Sequence, residues 1–193
     1  MKKSTIIVLA AFAAIILLSI TSYNGMVTSE EKVSGQWANV ENQYQRRGDL
    51  IPNLVATVKG YASHESETLE GVVAARAKAT QVTVDADNLT PEKLQKYQAA
   101  QGELSSALGK LLMITENYPD LKANQNFLEL QAQLEGTENR ISVERNRFNE
   151  LSKEFNTKVR SFPTNIMANM FGFEKKPYFE AEKGNEKAPA VKF

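Results

Sequence analysis

The sequence contains no cysteine and a single histidine, His64. The absence of cysteine excludes a disulfide, a thiolate nucleophile, a zinc–thiolate site and a lipidated cysteine. Glu65 follows His64, but the second histidine of a zinc-protease motif does not, and no nucleophile motif accompanies it. A glycine-rich phosphate loop is also missing. We therefore predict a protein that is not an enzyme, with no catalytic residue, no cofactor and no metal.

An excess of charge of one sign is also lacking. Lysine plus arginine and aspartate plus glutamate both number 23, so the formal net charge is zero. A protein that binds nucleic acid generally attracts phosphates with a positive field, and this composition does not supply one. Hydrophobic residues make up 42% of the chain and charged residues 24%, as in ordinary folded proteins. The composition predicts a folded domain with no nucleic-acid partner.

A long charge-free stretch lies near the N-terminus. Lys2 and Lys3 precede an apolar run over residues 6–18, and no charge occurs from residue 4 to residue 29. A helix needs about 20 mainly apolar residues to cross the hydrocarbon core of a membrane. Residues 5–23 meet this length, with Tyr23 as an interfacial aromatic residue. We predict an uncleaved membrane anchor over residues 1–25.

A cleaved signal peptide has the same lysine-plus-apolar design and is the alternative. Its cleavage would need a triplet of the Ala-x-Ala type, and none follows the apolar run. Because positive flanks stay in the cytoplasm, Lys2 and Lys3 predict a cytoplasmic N-terminus, with Glu30 and Glu31 on the far side. The sequence thus predicts a single-pass membrane protein with the bulk of the chain extracytoplasmic.

Helical periodicity dominates the rest of the chain, and strand patterns are nearly absent. The pattern predicts a first helix over residues 27–46, able to continue from the anchor, with a stop at Gly48. Asp49 and Pro52 indicate a fresh start for a second helix, over residues 50–79. After a polar loop over residues 80–89, a third helix is predicted.

Thr90 and Pro91 are typical of the cap and the first position of that third helix, which Pro119 is expected to end. A fourth helix carries apolar residues at every seventh position until Pro163. These heptad positions are Phe127, Leu134, Ile141, Phe148, Phe155 and Phe162. A helix of about 40 residues cannot bury such a stripe alone, so the other helices must cover it.

These patterns predict an all-α fold, namely an up-down antiparallel bundle of three or four long helices behind a single transmembrane helix. Short connections at residues 47–49 and 119–120 fit neighbouring antiparallel helices. The bundle domain is expected to span residues 26–173. Residues 174–193 are rich in Lys, Glu, Gly and Pro, which predicts an extended or disordered C-terminal tail.

A dense charged cluster, Arg46, Arg47 and Asp49, marks the predicted junction of the first two helices. A solvated turn would leave these charges in weak, screened ion pairs. Alternatively, one arginine forms a structural clamp with an inward acidic side chain of the long helix, such as Glu138 or Glu144. Arginine suits this role because its planar fork can hold a carboxylate through two hydrogen bonds. We favour the clamp over a ligand-binding role.

The run WANVENQYQRRGDLIPNLVATVKGYASHE, residues 37–65, resembles the signature of LemA family proteins. Further segments resemble the family in order and spacing: residues 118–124, 137–141, 147–149, 162–163, 178–181 and 188–193. The resemblance implies a helical bundle behind one N-terminal membrane segment in a bacterium, and it implies no reaction or cofactor. Phe148 departs from the pattern, because the family often has tyrosine before Asn149.

These observations favour a non-enzymatic envelope scaffold or adaptor that docks a partner protein. The alternative is a ligand- or lipid-sensing module with a pocket near Trp37, Tyr44 and Arg46, although aromatic core packing is the simpler interpretation of the aromatic pair. A hydrolase lacks the groups that its chemistry requires.

Overall fold

A computed structural model describes residues 3–180, apart from the side chain of Asp87. Within this range every regular element is a helix, as the sequence predicted. The α-helices are α1 (Lys3–Tyr61), α2 (Ser66–Gln81), α3 (Pro91–Thr115), α4 (Pro119–Lys122), α5 (Gln125–Arg160) and α6 (Thr164–Phe171), and a 3₁₀ helix spans Ala86–Asn88.

Helix α1 is continuous over 59 residues, or roughly 90 Å at 1.5 Å per residue. The predicted stop at Gly48 and restart at Asp49 are therefore wrong, and so is the predicted connection at residues 47–49. Pro52 lies inside the helix and cannot donate a hydrogen bond to the carbonyl of Gly48. The Arg76 Nε of α2 donates to that carbonyl instead, at 2.7 Å. A donor from a neighbouring helix thus replaces the one that proline removes.

The first reversal of the chain occurs at residues 62–65, so the predicted helix over residues 50–79 is wrong at its start. Residues 50–61 complete α1, and α2 begins at Ser66. Thr90 caps α3 as predicted, because its hydroxyl accepts a hydrogen bond from the Lys93 N–H at 3.3 Å. Helix α3 ends at Thr115, and Pro119 begins α4 rather than ending α3.

The heptad stripe of α5 is buried at five of its six positions, from Phe127 to Phe155. The sixth, Phe162, is 81% exposed, which corrects the prediction. Helix α5 ends at Arg160, and Ser161 adopts an extended backbone. This change takes the Phe162 side chain out of the helical phase of the stripe.

Helices α1, α2, α3 and α5 form an up-down antiparallel four-helix bundle. The contacts between α1 and α5 fix the antiparallel order: Ser29 meets Lys158 near one end, and the Tyr61 hydroxyl accepts from Asn124 at the other. Helix α6 packs against both α1 and α5. After Gly172 the chain runs back without regular structure along α5 to residue 180. Residues 181–193 of the predicted tail lie outside the described residues.

Two apolar clusters form the core of the bundle. The proximal cluster, nearer the N-terminal apolar segment, contains Trp37, Tyr97, Phe148 and Phe155, and the distal cluster contains Leu54, Leu104, Leu111 and Phe127. Among the described residues, α1 is the one helix long and apolar enough to cross a membrane, a property that a signal sequence shares. The domain boundaries at residues 25 and 173 stay predictions, and α1 crosses the first without a break.

Candidate functional site

A layer of buried polar side chains separates the two apolar clusters. It contains Arg47 of α1, Gln101 of α3 and Thr137 of α5, each less than 10% exposed. The neighbouring inward residues are apolar on both sides, for example Tyr97 and Leu104 around Gln101. A polar group at this depth needs hydrogen-bond partners, because burial without them costs free energy. The layer can therefore form only when the helices meet in one register.

Arg47 supplies most of the bonds in this layer. One terminal nitrogen donates to the Ser105 hydroxyl at 2.7 Å and to Glu138 Oε2 at 2.8 Å. The other donates to the side-chain oxygen of Gln101 at 2.8 Å and to its carbonyl at 3.2 Å. The guanidinium also lies 5.2 Å from the centre of the Tyr44 ring. One side chain of α1 thus joins α3 and α5.

The other residues of the predicted clamp do not join this network. Arg46 and Asp49 are exposed to solvent. Glu144 accepts a hydrogen bond from Gln36 Nε2 at 2.5 Å. The sequence interpretation missed Gln101 and Ser105, although Gln101 is a visible polar interruption in the apolar periodicity of α3. Of the five proposed residues, the structure brings only Arg47 and Glu138 together.

A second polar arrangement holds residues 174–180, which we call the strap, against the bundle. The side-chain amide of Asn149 donates to the Phe179 carbonyl at 2.9 Å and accepts from the Phe179 N–H at 2.8 Å. Asn156 makes the same pair of bonds with Lys176, both at 2.8 Å. Seven helical residues span about 10 Å, and three extended residues span about the same distance. The spacing of the two asparagines therefore matches that of their targets.

The strap carries an aromatic ring into the proximal cluster. Phe179 stacks on Trp37 with ring centres 5.9 Å apart and meets Phe148 edge to face at 5.4 Å. The Trp37 indole N–H donates to the Val84 carbonyl at 3.0 Å. Trp37 is only 1% exposed, so the core around it is filled. The sequence predicted an extended or disordered tail here and did not reveal that this part of it completes the core.

Beside this core lies an open groove of about 460 Å³ that Glu41, Tyr44 and Tyr97 help to line. Trp37 and Arg46 are not among its lining residues. Burial raises the pKa of the Glu41 carboxyl and of the Tyr44 and Tyr97 hydroxyls above their ordinary values. The Tyr44 and Tyr97 hydroxyls in the groove therefore stay protonated and uncharged.

A second groove, of about 370 Å³, lies between the end of α1 and α2, and we call it the distal groove. Its lining is mainly apolar or small, with one cation and one carboxylate: Val55, Lys59, Ser63, Ser66, Leu69, Glu70, Val73, Ala74 and Ala77. Val73 is 52% exposed at this surface. Val55 lies 32 residues beyond Tyr23 in α1, or about 48 Å along the helix axis. The groove is thus far from the N-terminal apolar segment.

No cluster of three or more histidine, aspartate or glutamate residues suited to a metal ion occurs within residues 3–180. His64 is exposed in the turn between α1 and α2. The geometry defines a buried arginine network inside a helical bundle that continues an apolar N-terminal helix.

The sequence profile of the LemA family matches residues 36–193, so the chain belongs to the LemA family. It is 27% identical to magnetosome protein MamQ 2 of Paramagnetospirillum magneticum over 195 residues, which cover 91% of this chain and 70% of that protein. It is 26% identical to MamQ of Magnetospirillum gryphiswaldense, with 93% and 71% covered. Identity to protein LemA of Metamycoplasma hominis is 24%, with 82% and 68% covered. None of these names specifies an enzymatic activity.

Proposed function

We propose that the protein is a non-enzymatic scaffold of the bacterial inner membrane, which presents a docking surface for a partner protein at a fixed distance from the bilayer. The observation that carries the proposal is the single helix α1. Its first turns are apolar and exposed, and its later turns form part of the bundle core. A rigid connection of this kind suits the display of a surface better than it suits chemistry.

The distal groove is the proposed docking surface, and its occupant is an apolar segment of a partner protein. Its small side chains, including Ala74 and Ala77, allow close approach of another chain. Lys59 and Glu70 at the same surface add opposite charges that orient an incoming segment. The retained anchor and the extracytoplasmic position of the bundle belong to this proposal, supported by the lysines ahead of the apolar run.

Site-specific photo-cross-linking in native membranes tests the docking surface. A benzophenone amino acid at Val73 should give one discrete adduct, and the same group at the exposed Gln133 of α5 should give none. The additional change Ala74→Arg fills the groove and should abolish the adduct at Val73. Recovery of the uncross-linked chain from both positions, under several growth conditions, would rule out this docking role.

The sensing alternative has less geometric support. Its predicted pocket required Trp37, Tyr44 and Arg46 to border one cavity, but Trp37 is packed in the core and Arg46 faces solvent. Only Tyr44 borders the open groove beside α3. A lipid- or ligand-dependent change in fluorescence of a Trp37→Phe, Tyr44→Trp variant, whose single tryptophan borders that groove, would revive it.

A further inference from the structure

An uncharged segment follows α5 and exposes a dense group of apolar side chains. Residues 161–173 contain no charged residue and lie between Arg160 and Glu174. Beyond residue 23, ten large apolar side chains of the described residues are exposed, and four of them fall within residues 162–171. A concentration of exposed apolar side chains of this kind usually marks a surface that contacts something other than water.

Two of these side chains form an exposed stripe on one face of α6. Ile166 and Met170 are 57% and 64% exposed and lie four residues apart, which places them on the same side of the helix. Phe162, which is 81% exposed, lies in the turn just before the helix begins. The opposite side of α6 holds the buried Ala168 and the half-buried Met167, which pack in the proximal cluster. Helix α6 therefore carries apolar side chains on its exposed side as well as on its buried side, and within the described residues the exposed stripe is uncovered.

The position of α6 along α1 indicates what covers the stripe. Lys158, near the end of α5, donates to the Ser29 hydroxyl of α1. Beyond this level the Tyr23 ring lies 4.9 Å from Phe171 and 5.7 Å from Phe173. Tyr23 is six residues before Ser29, or about 9 Å along the axis. Helix α6 thus lies beside the point where the apolar segment of α1 ends.

We propose that α6 is a second membrane contact, an interfacial helix whose stripe enters the headgroup–acyl boundary of the bilayer that holds α1. The proposal rests on the membrane anchor of the proposed function. Helices of this kind insert their apolar face about 5–10 Å into that boundary. The residues that flank α6 carry an excess of positive charge, which suits anionic headgroups. The exposed cations are Lys158, Arg160 and Lys175, and the exposed acid is Glu174. Two contacts then fix the tilt of the bundle on the membrane.

Methionine oxidation of the unmodified chain tests the proposal. Met170 and Met113 have similar exposure, 64% and 71%, but Met113 lies near the distal end of α3. The chain in nanodiscs of phosphatidylcholine and phosphatidylglycerol is treated with hydrogen peroxide, and sulfoxide is measured by peptide mass spectrometry. We expect Met170 to be oxidised several-fold more slowly than Met113. Equal rates would overturn the proposal.

Quenching by spin-labelled lipid identifies the covering molecule. Because the chain has no cysteine, Met170→Cys carries a single fluorophore, with Leu17→Cys as the control for the anchor and Glu150→Cys on α5 as the solvent control. We expect quenching at Leu17 and Met170 but not at Glu150. Quenching at Leu17 alone would overturn the α6 contact with lipid and leave the anchor in place. This holds even if Met170 resists oxidation, because protein rather than lipid would then cover the stripe. Absence of quenching at both would overturn the anchor and the α6 contact together.

Discussion

Arg46 and Arg47 are adjacent and chemically identical, yet α1 turns them in different directions. Arg46 faces solvent, whereas Arg47 is 2% exposed and bonds to two other helices. Successive residues of an α-helix point about 100° apart, so only one of the pair can face the bundle axis. The side chain that faces inward aligns the helices, and the other one contributes solubility.

Arg47→Met should lower the free energy of unfolding by about 1–3 kcal/mol, because it leaves the buried side-chain oxygen of Gln101 without its donor. Glu138→Gln should cost less than about 1 kcal/mol, since Glu138 is 56% exposed and the glutamine amide oxygen can still accept the hydrogen bond from Arg47. Arg46→Met is the matched control and should stay within about 0.5 kcal/mol of the parent chain. Urea unfolding followed by Trp37 fluorescence measures all three. An Arg47→Met chain as stable as the control would show that the layer does not stabilise the bundle.

The buried tyrosines predict a loss of stability in alkali. Burial raises the pKa of the Tyr97 and Tyr44 hydroxyls in the folded chain, whereas an unfolded tyrosine has a pKa of about 10. Above about pH 10 the unfolded chain releases protons that the folded chain retains, so unfolding becomes more favourable as the pH rises. Below about pH 10 this contribution is fully present.

Tyr97→Phe should therefore reduce the loss of stability between about pH 9 and 11. Tyr61→Phe, at a tyrosine that is 44% exposed, is the control for loss of a tyrosine hydroxyl outside the core. Denaturant midpoints at each pH provide the measurement. An identical slope in the parent chain and in Tyr97→Phe would contradict this explanation.

At the scale of single elements, the continuity of α1 depends on a donor from outside the helix. Pro52 deprives the Gly48 carbonyl of its helical partner, and Arg76 of α2 replaces it. Arg76→Met should cost about 1–3 kcal/mol, because it leaves a buried carbonyl unpaired. In a Pro52→Ala background the new backbone N–H can take over, so the same change should cost less. A double-mutant cycle measures this coupling, and additive effects would mean that the Arg76 bond does not compensate for Pro52.

The strap depends on the side chains of α5. Asn149→Leu removes both bonds to Phe179 and should speed hydrogen exchange of the Phe179 amide several-fold, because its acceptor is lost. Asn146→Leu changes an exposed asparagine one turn earlier on the same helix and is the control. Hydrogen–deuterium exchange of the peptides that cover the strap measures the effect of both substitutions. Unchanged exchange in Asn149→Leu would mean that ring packing alone retains the strap.

The sequence predicted those elements whose signals are local. The Thr90 cap and five of the six predicted heptad positions, Phe127 to Phe155, are confirmed because capping and periodicity depend on neighbours in the chain. The break at Gly48 was wrong because Arg76, 28 residues away, stabilises the helix there. Burial of Phe179 was also missed, since one pair of adjacent aromatic residues, Tyr178 and Phe179, in a polar stretch carries no periodic signal. Contacts between distant segments decided both errors.

At the scale of the whole molecule, the chain is a helical bundle built on the continuation of its own apolar segment. The sequence predicted the antiparallel bundle correctly, because the α5 stripe had to be covered by other helices. The sequence offered Arg46 or Arg47 as the clamp arginine and Glu138 or Glu144 as its partner. The structure joins Arg47 to Glu138, and the sequence did not indicate the α3 residues that complete the layer. Helix α1 runs without a break or a hinge from the apolar segment to the distal end of the bundle. The proposed display of a docking surface depends on this continuity.

One distance tests that claim most directly. Spin labels at Ile20→Cys and Ala56→Cys, both exposed positions of α1, are introduced into the chain in nanodiscs and measured by pulsed electron resonance. An unbroken helix predicts a narrow distribution centred near about 54 Å, from 36 residues at 1.5 Å each. A reversal at Gly48, or a hinge at Gly25, would give a broad or much shorter distance and would contradict the account.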